Sequence, residues 1–352
     1  MLDDNEIRVS VVMPAYNAAP FITAALASAL RQSEHRLEVL VIDDCSRDAT
    51  PHFVQNIAAR DRRVRLLRNP VNRGPAASRN RGLAEARGEW IALLDADDGF
   101  APRRLETLMS LGEQRNADLV ADNLLLCPDD ALAANEPMLS DAVLDAPRWL
   151  SPAEFVEGNI GSRYTPRISY GFLQPLMRRR FLRAHGLRYD ERNRFGEDFM
   201  LYLACLLRGA RWWLMPEAMY RYRVRSGTLT DVQSAADLQR IRSLEDRLLR
   251  EDPLVASDAA LADALRRHKT KIDRFYYYRA FTDAVKAGYG ATALRTLLQS
   301  GSGFRHIVLE SMTQTPRLTR KVLYHAGRAI AAEYVPAFRP QVTPPDSQSR
   351  AP

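Results

Sequence analysis

The chain has 352 residues, 46% hydrophobic and 26% charged, the balance of a globular protein holding one large domain or two ordinary ones. No apolar run approaches the roughly 20 residues that cross a bilayer, and Met1–Arg8 carries Asp3, Asp4 and Glu6 where an export leader would carry a basic flank. The formal net charge of +7 favours anions such as diphosphates or anionic lipid, but the arginines are scattered and no nucleic-acid signature accompanies them, so nucleic acid is not expected as a partner.

Val9–Met13 is an almost continuous apolar, β-prone run ended by Pro14, and similar runs recur at Leu37–Ile42, Val64–Leu67, Trp90–Leu94 and Leu119–Val120. Runs of this length and character predict strands buried on both faces. Between them, Phe21–Leu30 is apolar at Phe21, Ile22, Ala25, Leu26 and Ala29, the spacing of a helix. Thr50 before Pro51 predicts an N-cap and first-turn proline for a helix carrying Phe53, Val54 and Ile57. Pro75–Ala86 and Pro102–Leu111 continue the alternation. Strands alternating with helices predict an α/β fold with a mostly parallel, Rossmann-like sheet, helices on both faces and ligands at the carboxyl ends of the strands.

Asp129–Asp145, rich in Ala, Asp and Pro, predicts an irregular excursion. Ser151–Tyr222 mixes a loop, the basic Arg178–Arg180 segment and a helix beginning near Gly196. Asp237–Arg250 then opens a helical C-terminal region with a stripe of Leu238, Ile241, Leu244 and Leu248. Leu318–Val335 places Leu318, Val322, Leu323, Ala326, Ile330 and Tyr334 at helical spacing beside Arg317, Arg320, Lys321 and Arg328, a pattern for either a docked helix or one lying on anionic lipid. Pro336–Pro352 reads as a disordered tail.

Three strand ends carry polar groups: Pro14-Ala15-Tyr16-Asn17, Asp43-Asp44-Cys45-Ser46 and Asp95-Ala96-Asp97-Asp98. Three carboxylates within four positions repel one another unless a cation or donors neutralise them. A hard divalent ion does this and can bridge two phosphate oxygens. A solvated acidic turn, with Asp98 capping the next helix, is the plainer reading. Cys45, Cys127 and Cys205 lack ligand spacing, as do His268, His306 and His325, so neither a zinc site nor a disulfide framework is expected.

Val9–Asn17, Val41–Thr50, Asn72–Gly82 and Gly88–Asp98 together resemble the successive signature blocks of family 2 inverting glycosyltransferases, and the likeness extends through later motifs to about Thr230. The resemblance implies a GT-A fold and a nucleoside diphosphate sugar donor, UDP-linked in the usual case. It also implies a divalent Mn²⁺ or Mg²⁺ cofactor. Carried onto this chain, Asp44 would accept a hydrogen bond from the nucleobase, Pro14, Ala15, Tyr16 and Asn17 would line base and ribose, and Arg79 would face the nucleotide from a helix start. Asp95 and Asp97 would form the DxD motif, with Asp97 or Asp98 touching the metal. Asp198, in Gly196-Glu197-Asp198-Phe199, would be the general base. Arg225 stands where the Tyr-Arg-x-His segment of the family has histidine, and an arginine can clamp phosphate but not ligate a metal.

The implied organisation is a nucleotide-sugar-binding half over 1–125, an acceptor-binding half with the base over 126–230, a helical region over 231–335 and a tail over 336–352. Arg178–Arg180 would lie near the acceptor mouth or form a solvated basic edge. Tyr170-Gly171-Phe172 and Tyr220–Thr228 resemble bacterial exopolysaccharide enzymes of the succinoglycan type, which implies transfer of a single sugar to a glycan on a lipid-linked diphosphate, in the cytoplasm and peripherally at the membrane. A nucleotidyltransferase, or an inactive sugar-nucleotide-binding scaffold, is the alternative. The first would carry a glycine-rich basic loop where this chain has Pro14–Asn17, and the intact aspartates speak against the second.

Overall fold

A computed structural model describes residues 7–128, 136–160, 169–224 and 234–300. The chain divides into two compact units, Met1–Ile272 and Asp273–Pro352. In chain order the first unit begins with strand β1 (Val9–Ala15), helix α1 (Ile22–Leu30), β2 (Leu37–Asp43), α2 (Thr50–Ala58), β3 (Val64–Arg68), α3 (Pro75–Glu85) and β4 (Trp90–Leu93). It continues with β5 (Gly99–Phe100), α4 (Arg104–Gln114), β6 (Leu119–Pro128), β7 (Glu136–Pro137), β8 (Arg148–Leu150) and α5 (Pro152–Glu157). Next come β9 (Leu176–Arg178), α6 (Arg179–Ala184), α7 (Glu197–Leu207), β10 (Trp212–Val224), α8 (Ala235–Glu251), α9 (Pro253–Ser257) and α10 (Ala259–Lys286). Within the second unit the last turns of α10 and helix α11 (Gly290–Gln299) bury Phe281, Ala284, Ala293 and Leu297 together. Among the described residues no helix is long and apolar enough to cross a membrane.

One sheet organises the first unit, with strands in the order β3-β2-β1-β4-β9-β6-β10-β5. β3, β2, β1 and β4 are parallel, as their apolar runs predict, and β1 and β2 are buried along almost their whole length. Because β1 pairs β2 on one side and β4 on the other, the order reverses there, and a crevice opens at the carboxyl ends of such strands. Gly88 lets the chain enter β4 close to β1: a Cβ there would lie 2.5 Å from the Ser10 nitrogen, so no side chain fits.

Beyond β4 the sheet departs from simple alternation. β9 inserts antiparallel between β4 and β6, and β6 and β10 then run parallel to each other. The β10 register slips between Leu214 and Tyr220, around Pro216, which has no N–H to give to the ladder. Under this slip, Arg104 and Asp122 form a pair with no exposure. Arg104 donates Nη2 to Asp122 Oδ1 at 2.7 Å and to the Gln174 carbonyl at 2.6 Å, and its guanidinium covers the rings of Phe100 and Tyr220 at 4.6 and 5.1 Å. Asp122 accepts the Met219 N–H at 3.0 Å, so α4, β6 and β10 are tied at one point.

Several local expectations change. Thr50 does not cap α2: its hydroxyl accepts the Ala18 N–H at 2.8 Å, joining the loop after β1 to the first residue of α2. Arg178 is buried rather than solvated or at an acceptor mouth. It pairs in register with Trp90 at the start of β4, stacks on that ring at 4.2 Å and donates to the Ala117 carbonyl at 2.8 Å and to Glu89 at 2.6 Å. Only Arg180 of the three is fully exposed. In the α8 stripe Leu238 and Ile241 are buried, while Leu244 and Leu248 are half-buried and Glu245 has no exposure. Glu245 contacts His268 of α10, and that imidazole stacks on Phe199 of α7 at 4.7 Å. Phe199 stacks on Phe155 at 5.5 Å, which packs on Trp212 at 5.4 Å.

Candidate active site

Four strand ends and one helix start converge on the crevice. Ala15, the last residue of β1, is level with Asp43 at the end of β2 and is buried beside half-buried Pro14. Tyr16 then exposes 48% of its surface. Asn17 turns into the left-handed region at φ 50°, which asparagine tolerates through local hydrogen bonds. Its Oδ1 accepts the Arg47 N–H and its N–H donates to Ser46 Oγ, both at 2.9 Å. The Tyr16 ring is therefore presented on two cross-braced loops.

Asp44 is 3% exposed. Its carboxylate accepts from Asn69 Nδ2 at 2.8 Å, the Arg73 N–H at 3.0 Å and the Gly74 N–H at 2.7 Å, which anchors the segment leading into α3. The Arg73 N–H is shared with the second oxygen at 3.1 Å, so these donors already fill the roughly four positions a carboxylate offers, and the nucleobase N–H expected there would have to share or displace one of them.

Arg79 does not sit at an open helix start. It is 4% exposed, donates from Nη1 to Glu197 Oε1 at 2.7 Å and from Nη2 to Asp95 Oδ1 at 3.0 Å, and lies 3.8 Å from Asp198 Oδ2. A guanidinium keeps its proton even when buried. One cation from α3 thus joins the carboxylate after β4 to the two that open α7, across 118 positions of chain. Sequence reading counted Glu197 only as a neighbour of the base, and no local pattern marks its partner.

α7 starts at Gly196, whose φ of 71° only glycine adopts freely, and a Cβ there would meet Ile241 Cδ1 at 2.8 Å. This fixes Asp198 in the first helical turn. Burial pushes the Asp198 carboxyl up, the Arg79 guanidinium pulls it down and the charges of Glu197 and Asp95 push it up again, to about 7. A carboxyl poised there can accept a proton near neutral pH.

The acidic turn is organised differently. Asp95 keeps 29% of its side chain exposed, Asp97 is half-buried and Asp98 is 3% exposed. The Tyr220 hydroxyl donates to Asp98 Oδ2 and the Arg223 N–H to Oδ1, each at 2.8 Å, while Arg223 Nε reaches the Asp97 carbonyl at 2.9 Å. Burial pushes Asp98 well above the ordinary carboxylate range, with the charges of Asp97 and Asp95 adding to it. Asp98 therefore braces the turn against β10, neither capping a helix nor pointing outward as a solvated residue would. Among the described residues no group of three or more His, Cys, Asp or Glu side chains is gathered as a metal site. Asp95 and Asp97, hard oxygen donors with solvent access, fit an ion that takes its remaining ligands from water and phosphate. Arg225 lies outside the described residues, as do the Leu318–Val335 segment, the tail, His306 and His325.

Residues 10–179 match the family described as glycosyl transferase family 2, a span that stops short of Asp198. Succinoglycan biosynthesis protein ExoU of Rhizobium meliloti is 40% identical over 283 residues, 80% of either chain. The solved structure of S. aureus TarS 1–349 in complex with UDP-GlcNAc shares the fold, with a TM-score of 0.63 at 19% identity over 93% of this chain and 91% of that one. Succinoglycan biosynthesis protein ExoO of the same Rhizobium is 33% identical over 321 residues, 91% of this chain and 90% of its own. With a relative of that identity matched over 91% of its length, the chain belongs to glycosyl transferase family 2.

Proposed function

We propose that this chain is an inverting, metal-dependent transferase that moves one sugar from a UDP-sugar to a glycan on a lipid-linked diphosphate during exopolysaccharide assembly. The observation that carries the reading is the buried bridge from Asp95 through Arg79 to Glu197 and Asp198, which supports a donor-side role for Asp95 and a base role for Asp198 by holding both within reach of one guanidinium. TarS, solved in complex with UDP-GlcNAc, supports a nucleotide-sugar donor, and the succinoglycan biosynthesis proteins ExoO and ExoU support the exopolysaccharide role.

In this reading Tyr16 stacks on the base and Asp44 accepts its ring N–H. Asp198 takes the proton of the acceptor hydroxyl as that oxygen attacks the anomeric carbon from the face opposite the leaving UDP, so one bond forms, one breaks and configuration inverts. Mn²⁺ or Mg²⁺ held by Asp95 and Asp97 would neutralise charge on the departing diphosphate. Arg79 keeps the carboxylates from repelling one another before either ligand arrives. The basic surface suits an anionic acceptor at the inner face of the cell membrane.

The test is a panel of UDP-glucose, UDP-GlcNAc and GDP-mannose with a polyprenyl-diphosphate oligosaccharide, with and without Mn²⁺. The expected result is nucleoside diphosphate release that needs acceptor and metal, with an inverted product. Pyrophosphate release from nucleoside triphosphates would establish a nucleotidyltransferase instead. Nucleotide binding without turnover across the panel would establish a scaffold.

A further inference from the structure

Four polar atoms near the start of α7 are shut away from solvent and make no hydrogen bond of ordinary geometry among the described residues: Asp198 Oδ1, the hydroxyls of Tyr189 and Tyr202, and Arg79 Nε. Buried polar groups are nearly always paired, so such a group around one carboxylate calls for a reason. Tyr189 is 2% exposed and Tyr202 has no exposure. Phenylalanine would fill either place without burying a hydroxyl, so packing alone does not account for two tyrosines.

Their placement comes from separate elements. Tyr202 follows Asp198 by four residues in α7 and so lies on the same face of the helix, one turn on. Tyr189 belongs to the segment before α7, and its backbone is pinned by Asn80 of α3, which donates to its carbonyl at 3.0 Å and accepts its N–H at 2.9 Å. The adjacent Arg79 sets its guanidinium 5.5 Å over the Tyr189 ring. The Tyr189 hydroxyl faces Asp198, and that of Tyr202 faces Tyr189. Asp198 Oδ1 is shut away from solvent although 17% of the side chain is exposed, which leaves Oδ2 as the oxygen able to meet an acceptor. Hydrogen bonds to a catalytic group are commonly long before substrate arrives and shorten in the reactive complex.

We propose that Tyr189 is a positioning residue for the base: its hydroxyl donates to Asp198 Oδ1, Tyr202 backs it, and Oδ2 is thereby turned toward the acceptor hydroxyl. This rests on Asp198 being the base. A hydroxyl that donates to a carboxylate favours its ionised form, so Tyr189 also offsets part of the effect of burial.

Tyr189→Phe, Tyr202→Phe and Asp198→Asn are to be compared with the unaltered chain, using UDP release from UDP-glucose with a polyprenyl-diphosphate oligosaccharide across pH 5.5 to 9, on the order of two units either side of neutrality. Tyr189→Phe should lower kcat about tenfold, leave KM for UDP-glucose within about twofold and move the pH midpoint upward. Tyr202→Phe should do the same more weakly. Carbon-13 NMR titration of the Asp198 carboxyl needs neither donor nor acceptor and should show the same upward move in Tyr189→Phe. An unmoved midpoint and titration in Tyr189→Phe, whether or not kcat falls, would overturn this inference while inactive Asp198→Asn upholds the base. Wild-type turnover by Asp198→Asn would overturn both.

Discussion

Asp98 and Asp198 are both carboxylates held largely away from water at the edge of one crevice, yet their surroundings are opposite. Around Asp98 both oxygens are satisfied, by the Tyr220 hydroxyl and the Arg223 N–H, and the side chain is braced against β10. Around Asp198, Oδ1 makes no hydrogen bond of ordinary geometry among the described residues, and Oδ2 lies 3.8 Å from the Arg79 guanidinium. A buried acceptor with full hydrogen bonding holds a fold together, whereas one left short retains its capacity for a proton. Reactivity here is decided by what neighbours withhold as much as by residue type.

The largest expected effect is that of Asp198→Asn, which removes the proposed proton acceptor. It should cut transfer by about 100-fold or more while thermal melting stays near the wild-type value, because Arg79 keeps its hydrogen bonds to Glu197 and Asp95 when the more distant Asp198 charge is removed. Wild-type activity would erase the contrast between the two aspartates. Arg79→Met should come next: with its cation gone, Asp95, Glu197 and Asp198 face one another, and denaturant unfolding should show a loss of about 3–5 kcal/mol. A loss below about 1 kcal/mol would mean that the carboxylates disperse into solvent and the bridge is not closed.

Asp98→Asn sharpens the comparison from the other side. An amide has one oxygen to offer where the carboxylate has two, so either Tyr220 or the Arg223 N–H loses its acceptor, and unfolding should cost about 1–3 kcal/mol. Unchanged stability would put Asp98 on the same footing as Asp198.

The smallest effect is set by pH. A base must be ionised to act and Asp198 is pushed up to about 7, so kcat should be half-maximal near that pH and fall below it as the carboxyl gains its proton. One unit lower the loss approaches about tenfold. A rate flat down to the ordinary carboxylate range would show that substrate or metal pulls the group back to its exposed value. The sign is opposite for stability, because a carboxyl raised above its unfolded value favours the folded chain when protonated, and this advantage fades as pH climbs toward 7.

The parallel half of the sheet was legible because each of its strands is a short continuous apolar run that folds beside its near neighbours, and the polar residues after Met13, Ile42 and Leu94 mark its carboxyl ends. The place of Asp198 was legible too, from a glycine followed by two acids at a helix start. Partnerships between distant residues were not. Nothing near Arg79 indicates Glu197, and nothing near Asp98 indicates Tyr220 across 122 positions. The same limit hid β9: Leu176–Arg178 is too short to show a period, and its slot between β4 and β6 is chosen by what those two edges leave unpaired.

The stack running from Trp212 through Phe155 and Phe199 to His268 sets where this enzyme can be cut. A fragment ending with the family match at residue 179 would keep the proposed nucleotide site and lose Asp198, the proposed base. One ending after β10 would retain Asp198 but strip the imidazole from the outer side of its neighbouring phenylalanine. Chimeras that exchange acceptor specificity with a relative should therefore carry the first half of α10 along with α7, since the two behave as one graft.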